Sequence, residues 1–301
     1  MEKLIINFIE RIKKEHNLIE AYCLSNKDGV ILKEQLTPRN YRNIYSHSKS
    51  FTSLMVGIAI DEKMISLDTK LVDVFKDEID DNTYTRLNEI TVKDLLMMSS
   101  GFNKEMLMGD QRRNGQGYPD YLNFVLSQEL INKPGTVFKY SNGDTYLLGR
   151  IITKVYNKSF YQLCYEKIFK PLEIGLPMWG TCPMGHCICA SDLQLSIEDM
   201  NKLGILFINK GVFKGKRIVS SEYVDMCSKE QIKSDGWGNY SFQFWMTPEG
   251  NGYRADGAYG QYTFIWPNHN IVFSIQRGED NRFNEFFKIL KEELIDKIDS
   301  I

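Results

Sequence analysis

Apolar positions along this chain change spacing four times, and each change predicts a different kind of element from the one before. Leu4, Ile5, Phe8, Ile9 and Ile12 recur at three-and-four spacing among charges, which predicts an amphipathic helix at the start. "IEAYCLSNKDGVILKEQL" then places β-rich runs on either side of Lys27-Asp28-Gly29, and an Asp-Gly between such runs predicts a hairpin. Helical spacing returns at Phe51, Leu54, Met55, Ile58 and Ala59, so a helix is expected to begin near Ser46. The pattern stays mostly helical to about Phe207, as in "TVKDLLMMSSGF" and "DYLNFVLSQELI", with Gly and Pro at the joints. From Tyr240 onward "YSFQFWMT", "GYRADGAYGQYTFIWP" and "NIVFSIQRG" read as strands, and "RFNEFFKILKEELIDKI" closes the chain as a helix. Helix, hairpin, helical insert, strands, helix is an α+β order. It predicts a discontinuous sheet domain over residues 1–60 and 210–301, with a helical subdomain over 61–209 and no internal repeat.

Composition narrows the function. A chain of 301 residues is long enough to bury an ordinary core. Charged residues make up 25% but the net charge is only -2, so no basic field exists to hold nucleic acid or an anionic membrane. The expected partner is a small molecule or a short peptide. No run of eighteen apolar residues is present, and the N-terminus lacks a basic region followed by an unbroken apolar stretch; it reads as a docking helix rather than a signal peptide. A cytoplasmic location is expected, where six cysteines are reduced thiols rather than a disulfide framework.

Candidate chemistry begins at "NIYSHSKSF", where Ser46 and Lys49 stand three apart at the expected helix start and so project from one face. A serine hydroxyl is a poor nucleophile without a neighbouring base, and a lysine is a base only where its surroundings favour the neutral amine. The positive end of a helix dipole disfavours the Lys49 ammonium and stabilises negative charge developing on Ser46 Oγ. A lone match of this kind is more often an N-cap serine beside a solvated lysine. The second candidate is "KPGTVFKYSNGDTYLLGRIITKV", in which Tyr140, Ser141 and Asn142 follow a short β-like run and precede a helix starting near Asp144. A phenol can relay a proton, and the Asn142 amide offers both a donor and an acceptor. Taken alone, a core tyrosine followed by a Ser-Asn-Gly turn explains it better.

Together, Ser46-His47-Ser48-Lys49 and Tyr140-Ser141-Asn142 resemble the first two motifs of the serine β-lactamase and penicillin-binding-protein superfamily, in the class C β-lactamase and esterase-like branch. The resemblance continues through "LLMMSSGF", "IFKPLEIG", "SIEDMNKLGILFINKGVFKGKRIVSSEYV" and "GAYGQYTFIWPNHNIVF", nearly the whole chain. It implies an antiparallel sheet flanked by helices with an inserted, mostly helical subdomain, and acyl transfer through an acyl-serine without a cofactor. Carried over by residue, Ser46 is the nucleophile, Lys49 its base, and Tyr140 the group that activates the serine or protonates the leaving group. Asn142 holds the acyl side chain. The oxyanion hole falls to the Ser46 amide and one near Gly260, each worth about 3 kcal/mol of barrier.

The third motif departs from the family pattern. Where Lys or His, then Thr or Ser, then Gly is usual, this chain has Ala255-Asp256-Gly257, so the groups that bind a β-lactam or D-Ala-D-Ala carboxylate are missing. Asp256 adds negative charge there, with Arg254, Arg277 and His186 as the cations able to offset it. Asp256-Gly257 also reads as a bulge with no part in binding. Elsewhere, Cys182, His186, Cys187 and Cys189 have thiol and imidazole chemistry, but their spacing does not complete a tetrahedral zinc site, and buried thiols are the expected reading. His186 either shapes a pocket near the cleft or makes a structural hydrogen bond. Trp179, Trp237, Trp245 and Trp266 are expected in the core, and "GDQRRNGQGYPD" is expected as a mobile loop over the cleft. The reading is a cytoplasmic serine hydrolase of esters or amides. Alternatives are a D-amino-acid peptidase or amidase, a weak β-lactamase, a non-catalytic ligand-binding relative and, last, a zinc or redox protein.

Overall fold

A computed structural model describes residues 1–15, 18–236 and 238–300; the expected core residue Trp237 lies outside them. Helix α1 (Glu2–Lys14) buries Ile5, Phe8, Ile9 and Ile12 and turns its charges outward, as the spacing predicts. Strands β1 (Ala21–Asn26) and β2 (Gly29–Gln35) form the expected hairpin, its turn closed by Asn26 Oδ1, which accepts from the Asp28 and Gly29 amides at 2.8 and 3.2 Å. Helix α2 (Ser48–Asp61) follows, then a run of short helices, α3 (Asn142–Tyr156) and α4 (Ile197–Ile208). The chain ends with β3 (Trp245–Met246), β4 (Tyr253–Gly257), β5 (Gln261–Trp266), β6 (Ile271–Gln276) and α5 (Phe283–Glu293).

These strands make one antiparallel sheet in the order β2-β1-β6-β5-β4-β3. Strands β5 and β6 are buried at every position because both faces are covered. On one face α1 and α5 pack through Phe8 against Phe273, with centroids 6.0 Å apart, and through Phe286 stacked on Tyr262 at 6.4 Å. On the other lies α4, so closely that a Cβ on Gly204 would stand 2.3 Å from Val272 Cγ1. The sequence placed α4 in the helical subdomain; the structure lays it on the sheet.

Two elements differ from expectation for stated reasons. Helix α2 is not amphipathic but buried from Ser48 to Ala59, wedged between sheet and helical region. Its hydroxyls make that possible by binding carbonyls from both sides: Ser50 Oγ donates to Gln243 O at 2.8 Å, Thr52 Oγ1 to Cys189 O at 2.9 Å and Ser53 Oγ to Phe242 O at 2.8 Å. In "YSFQFWMT" only Trp245 and Met246 join the sheet. Gln243, at φ 62°, bridges away to the helical region instead, its Nε2 donating to Leu95 O and Leu96 O at 3.1 and 2.9 Å. The segment 133–141 before α3 is irregular rather than β-like.

Candidate active site

Ser46 sits in a single 3-10 turn, Tyr45–His47, that leads straight into α2. The turn is held from three directions. Tyr45 adopts a left-handed φ of 48°, fixed by its amide donating to Asn43 Oδ1 at 2.8 Å, and such conformations persist only where surrounding contacts impose them. His47 is fully buried, its Nε2 2.8 Å from Thr263 Oγ1, which pairs with Ser274 Oγ at 2.9 Å; Asn201 of α4 continues that chain by donating to Ser274 Oγ at 3.0 Å. Burial pushes the His47 imidazole down to about 3, so it stays neutral. Finally, β4 passes directly over the turn: a Cβ on Gly257 would lie 2.1 Å from Ile44 O and 3.2 Å from His47 N. Glycine is required there by close backbone approach.

Lys49, one per cent exposed, reaches three oxygens: Ser46 Oγ at 2.9 Å, Asn142 Oδ1 at 2.6 Å and Ala190 O at 2.9 Å. Asn142 cannot flip, because its Nδ2 donates to Leu107 O at 2.9 Å and so commits Oδ1 to accepting from the lysine. Two of the three oxygens around Nζ are therefore pure acceptors, and the third is a hydroxyl. A neutral amine has two N–H donors and one lone pair. Donating to Asn142 and Ala190 leaves the lone pair aimed at the Ser46 hydroxyl, as a general base requires. Electrostatics favour that state: burial drives the Lys49 pKa well below its ordinary value, with the Arg112 charge adding to the effect and Asp192 and Asp256 opposing it.

Tyr140 completes the group. Lys49 Nζ lies 4.8 Å from its ring centroid, and the ring is half-buried, stacked on Trp245 with centroids 5.8 Å apart and edge-on to Tyr240 at 6.2 Å. Burial raises the phenol's pKa, Asp256 raises it further, and a hydrogen bond with Ser46 pulls the other way. The two shifts run in opposite senses, holding the phenol toward its protonated form and the amine toward its neutral one. Ser141 supplies local order, capping α3 by accepting from the Gly143 amide at 3.1 Å.

Residues named from sequence are thus partly convergent. Ser46, Lys49, Tyr140 and Asn142 meet, and Gly257 lies against the nucleophile turn. Ala255 is wholly buried in the core, so the usual place of the motif's cation is filled by packing. Asp256 is a quarter exposed beside the site and accepts from Arg254 Nε at 3.0 Å. Gly260 does not reach the cleft: its amide donates to Gly257 O at 3.3 Å, and its missing Cβ faces Phe286 and Arg277. Arg277 is likewise turned away, donating to Leu18 O and Tyr259 O. His186 lines a separate groove of about 480 Å³ with Phe160, Met178 and Trp179. Cys182, Cys187 and Cys189 are buried, and Cys189 Sγ donates to Cys187 O at 3.4 Å. Trp266 and Trp179 are core residues, but Trp245 is part of the site.

Several participants carry no signal in the sequence. Ala190 acts through its carbonyl alone. Arg112 comes from the short helix Gly109–Arg113, in the segment expected as a loop, and is tied to Asp192 Oδ2 at 2.6 Å and to Leu107 O at 3.1 Å. Only the Gly-rich polar composition of that segment pointed toward the cleft.

Comparison with known proteins identifies the family and the fold. The family described as Beta-lactamase matches residues 7–276. Protein flp of Staphylococcus aureus (strain MW2) is 32% identical over 147 residues, 47% of this chain and 28% of flp, so the match spans under a third of that relative's length. Among solved structures, an octameric penicillin-binding protein homologue from Pyrococcus abyssi superposes with a TM-score of 0.75 at 21% identity, covering 97% of this chain and 76% of that one. A family VIII carboxylesterase gives 0.71 at 15% identity, covering 97% of each. At such identities these structures share the fold.

Proposed function

The chain belongs to the β-lactamase family, and from that premise we propose that it is a serine hydrolase forming an acyl-enzyme on Ser46, with esters lacking a free carboxylate as its preferred substrates. The observation that carries this reading is the placement of Lys49 Nζ, with two fixed acceptors and its lone pair left for Ser46 Oγ at 2.9 Å. Ser46 Oγ attacks the substrate carbonyl as its proton passes to Lys49, giving a tetrahedral oxyanion. The Ser46 amide, at the start of a helical turn where N–H groups lack intrahelical acceptors, and an amide on the β4 edge beside Gly257 stabilise that oxyanion. Collapse expels the leaving alcohol, which takes the proton held by Lys49 through Tyr140 and so returns the amine to its neutral form. Water, deprotonated by the same amine, then releases the acid and restores Ser46.

Substrate choice follows from β4. An unpaired carboxylate entering a desolvated cleft costs several kcal/mol. Ala255 offers it no partner, and Asp256 repels it. Intact-mass measurement after exposure to a fluorophosphonate tests the nucleophile: one adduct is expected on the wild type and none on Ser46→Ala. An unchanged wild-type mass, or equal labelling of both, removes this reading.

A further inference from the structure

We infer that Asp256 makes this site selective for esters or amides carrying an ammonium group, the reverse of the charge preference set by a lysine on the same strand. The inference rests on the hydrolase reading above and names the substrate class for it.

Four observations converge on the carboxylate. Asp256 is the exposed end of its ion pair: its side chain is 24% accessible whereas Arg254 is 2% accessible. The guanidinium is sealed behind it, donating to Met246 O at 2.8 Å and lying 5.8 Å from the centroid of the Trp245 ring. A ligand in the cleft therefore meets the carboxylate first. Second, the carboxylate stands near the reacting groups: the next residue, Gly257, lies against the turn that carries Ser46, with its Cβ position 3.2 Å from His47 N, and the Asp256 charge acts on Lys49 and Tyr140. Third, the cations nearest the site are engaged: Arg112 is paired with Asp192 at 2.6 Å, and Lys49 is enclosed by Ser46 Oγ, Asn142 Oδ1 and Ala190 O, where burial shifts it toward the neutral amine. Fourth, the stacked rings of Tyr140 and Trp245 each already take a cation, Lys49 Nζ at 4.8 Å and the Arg254 guanidinium at 5.8 Å, so the carboxylate rather than an aromatic face is the anchor for an ammonium.

An ammonium held there would share Asp256 with Arg254. No proton transfer or covalent step is required, because the contribution is to binding and orientation along β4. Asp256 is a specificity residue, and Arg254 the group whose charge and hydrogen bond oppose the upward pull of burial on its carboxyl.

The test compares two matched ester series by pH-stat titration. Ethyl β-alaninate, ethyl butyrate and monoethyl succinate vary the charge on the acyl side. Acetylcholine and 3,3-dimethylbutyl acetate vary it on the leaving group. In at least one series kcat/KM for the cationic ester should exceed that of its neutral isostere by 10-fold or more, with succinate slowest on the acyl side. In Asp256→Asn the cation-to-neutral ratio should fall to near one; a ratio internal to each variant discounts any general loss of activity. No cation preference in either series, or a preference that survives in Asp256→Asn, overturns the inference. Failure to turn over any cationic ester while Ser46 is still labelled by fluorophosphonate also overturns it, leaving the hydrolase reading in place. Absence of both turnover and labelling removes that reading as well.

Discussion

At the scale of single residues, the site works by removing water from a lysine and then using all of its hydrogen-bonding directions. The consequence is a pH profile. Because burial holds the Lys49 pKa well below its ordinary value, kcat/KM for a neutral ester should rise with pH as the amine loses its proton, reaching half its plateau well below pH 10. The neighbouring His47 does not contribute a step near pH 6, since burial already keeps it neutral down to about 3. A limb centred at or above pH 10 would remove Lys49 as the base. Lys49→Ala and Tyr140→Phe should each lower kcat by on the order of 10²-fold or more, the usual value of a positioned proton-transfer group. Circular dichroism and a thermal melt identify any loss due to unfolding. The same residues show how far sequence reading goes: Ser46 and Lys49 were legible because three-residue spacing on a helix is a local geometric fact, whereas the Ala190 carbonyl has no side-chain signature.

Elements set how closely those residues approach. Strand β4 can cross the nucleophile turn only because Gly257 has no Cβ to meet Ile44 O at 2.1 Å. Gly257→Ala should push the strand away from Ser46, and a displacement near 1 Å costs about 10²-fold in rate. Gly175, whose added Cβ would meet nothing within 4 Å, provides the control, and Gly175→Ala should retain wild-type turnover of p-nitrophenyl butyrate. Equal activity in the two variants would show that β4 does not position the oxyanion side of the site. Element boundaries were legible where burial has a period, as in α1, or where turn residues punctuate the chain, as Asp28-Gly29 does between β1 and β2, Tyr259-Gly260 between β4 and β5, and Pro267-Asn268 between β5 and β6. The periodic reading failed at α2, where hydroxyls on the buried faces satisfy carbonyls from elsewhere in the chain, and at 240–247, where Gln243 spends its amide on Leu95 and Leu96.

For the molecule as a whole, the seam between sheet and helical region determines what enters and how stability responds to pH. With Ala255 buried and Asp256 facing the seam, p-nitrophenyl acetate or butyrate should be hydrolysed with a higher kcat/KM than penicillins or cephalosporins, measured side by side; the opposite order would contradict the charge argument. Stability has its own titrating group in the helical region. Asp144 is fully buried, accepts from Ser100 Oγ at 2.9 Å, and has no hydrogen-bond partner for Oδ2 among the described residues; burial pushes its carboxyl up to about 7. Between the ordinary carboxylate range and that value the folded protein holds a proton the unfolded chain releases. Stability contributed by this group is therefore present at low pH and lost as pH rises through about 7, by at most about 1.4 kcal/mol per pH unit. Urea unfolding at pH 5, 6 and 7 should show Asp144→Asn with a weaker dependence than wild type. Parallel curves would mean that Asp144 does not titrate in this range.

By itself the sequence determined the α+β order, the helix that presents Ser46 beside Lys49, and the loss of the strand cation at Ala255, because each depends on residues close together in the chain. Only the tertiary structure decided that Lys49 is buried and shifted toward the neutral amine, since its state depends on burial and on oxygens from Asn142 and Ala190, 93 and 141 residues away. It likewise decided that Trp245 stacks on Tyr140, that Gly260 faces α5 rather than the cleft, and that Arg254 lies sealed behind Asp256. Periodicity records which face of an element is apolar. It does not record what that face meets, and pKa, charge pairing and access to substrate all follow from what is met.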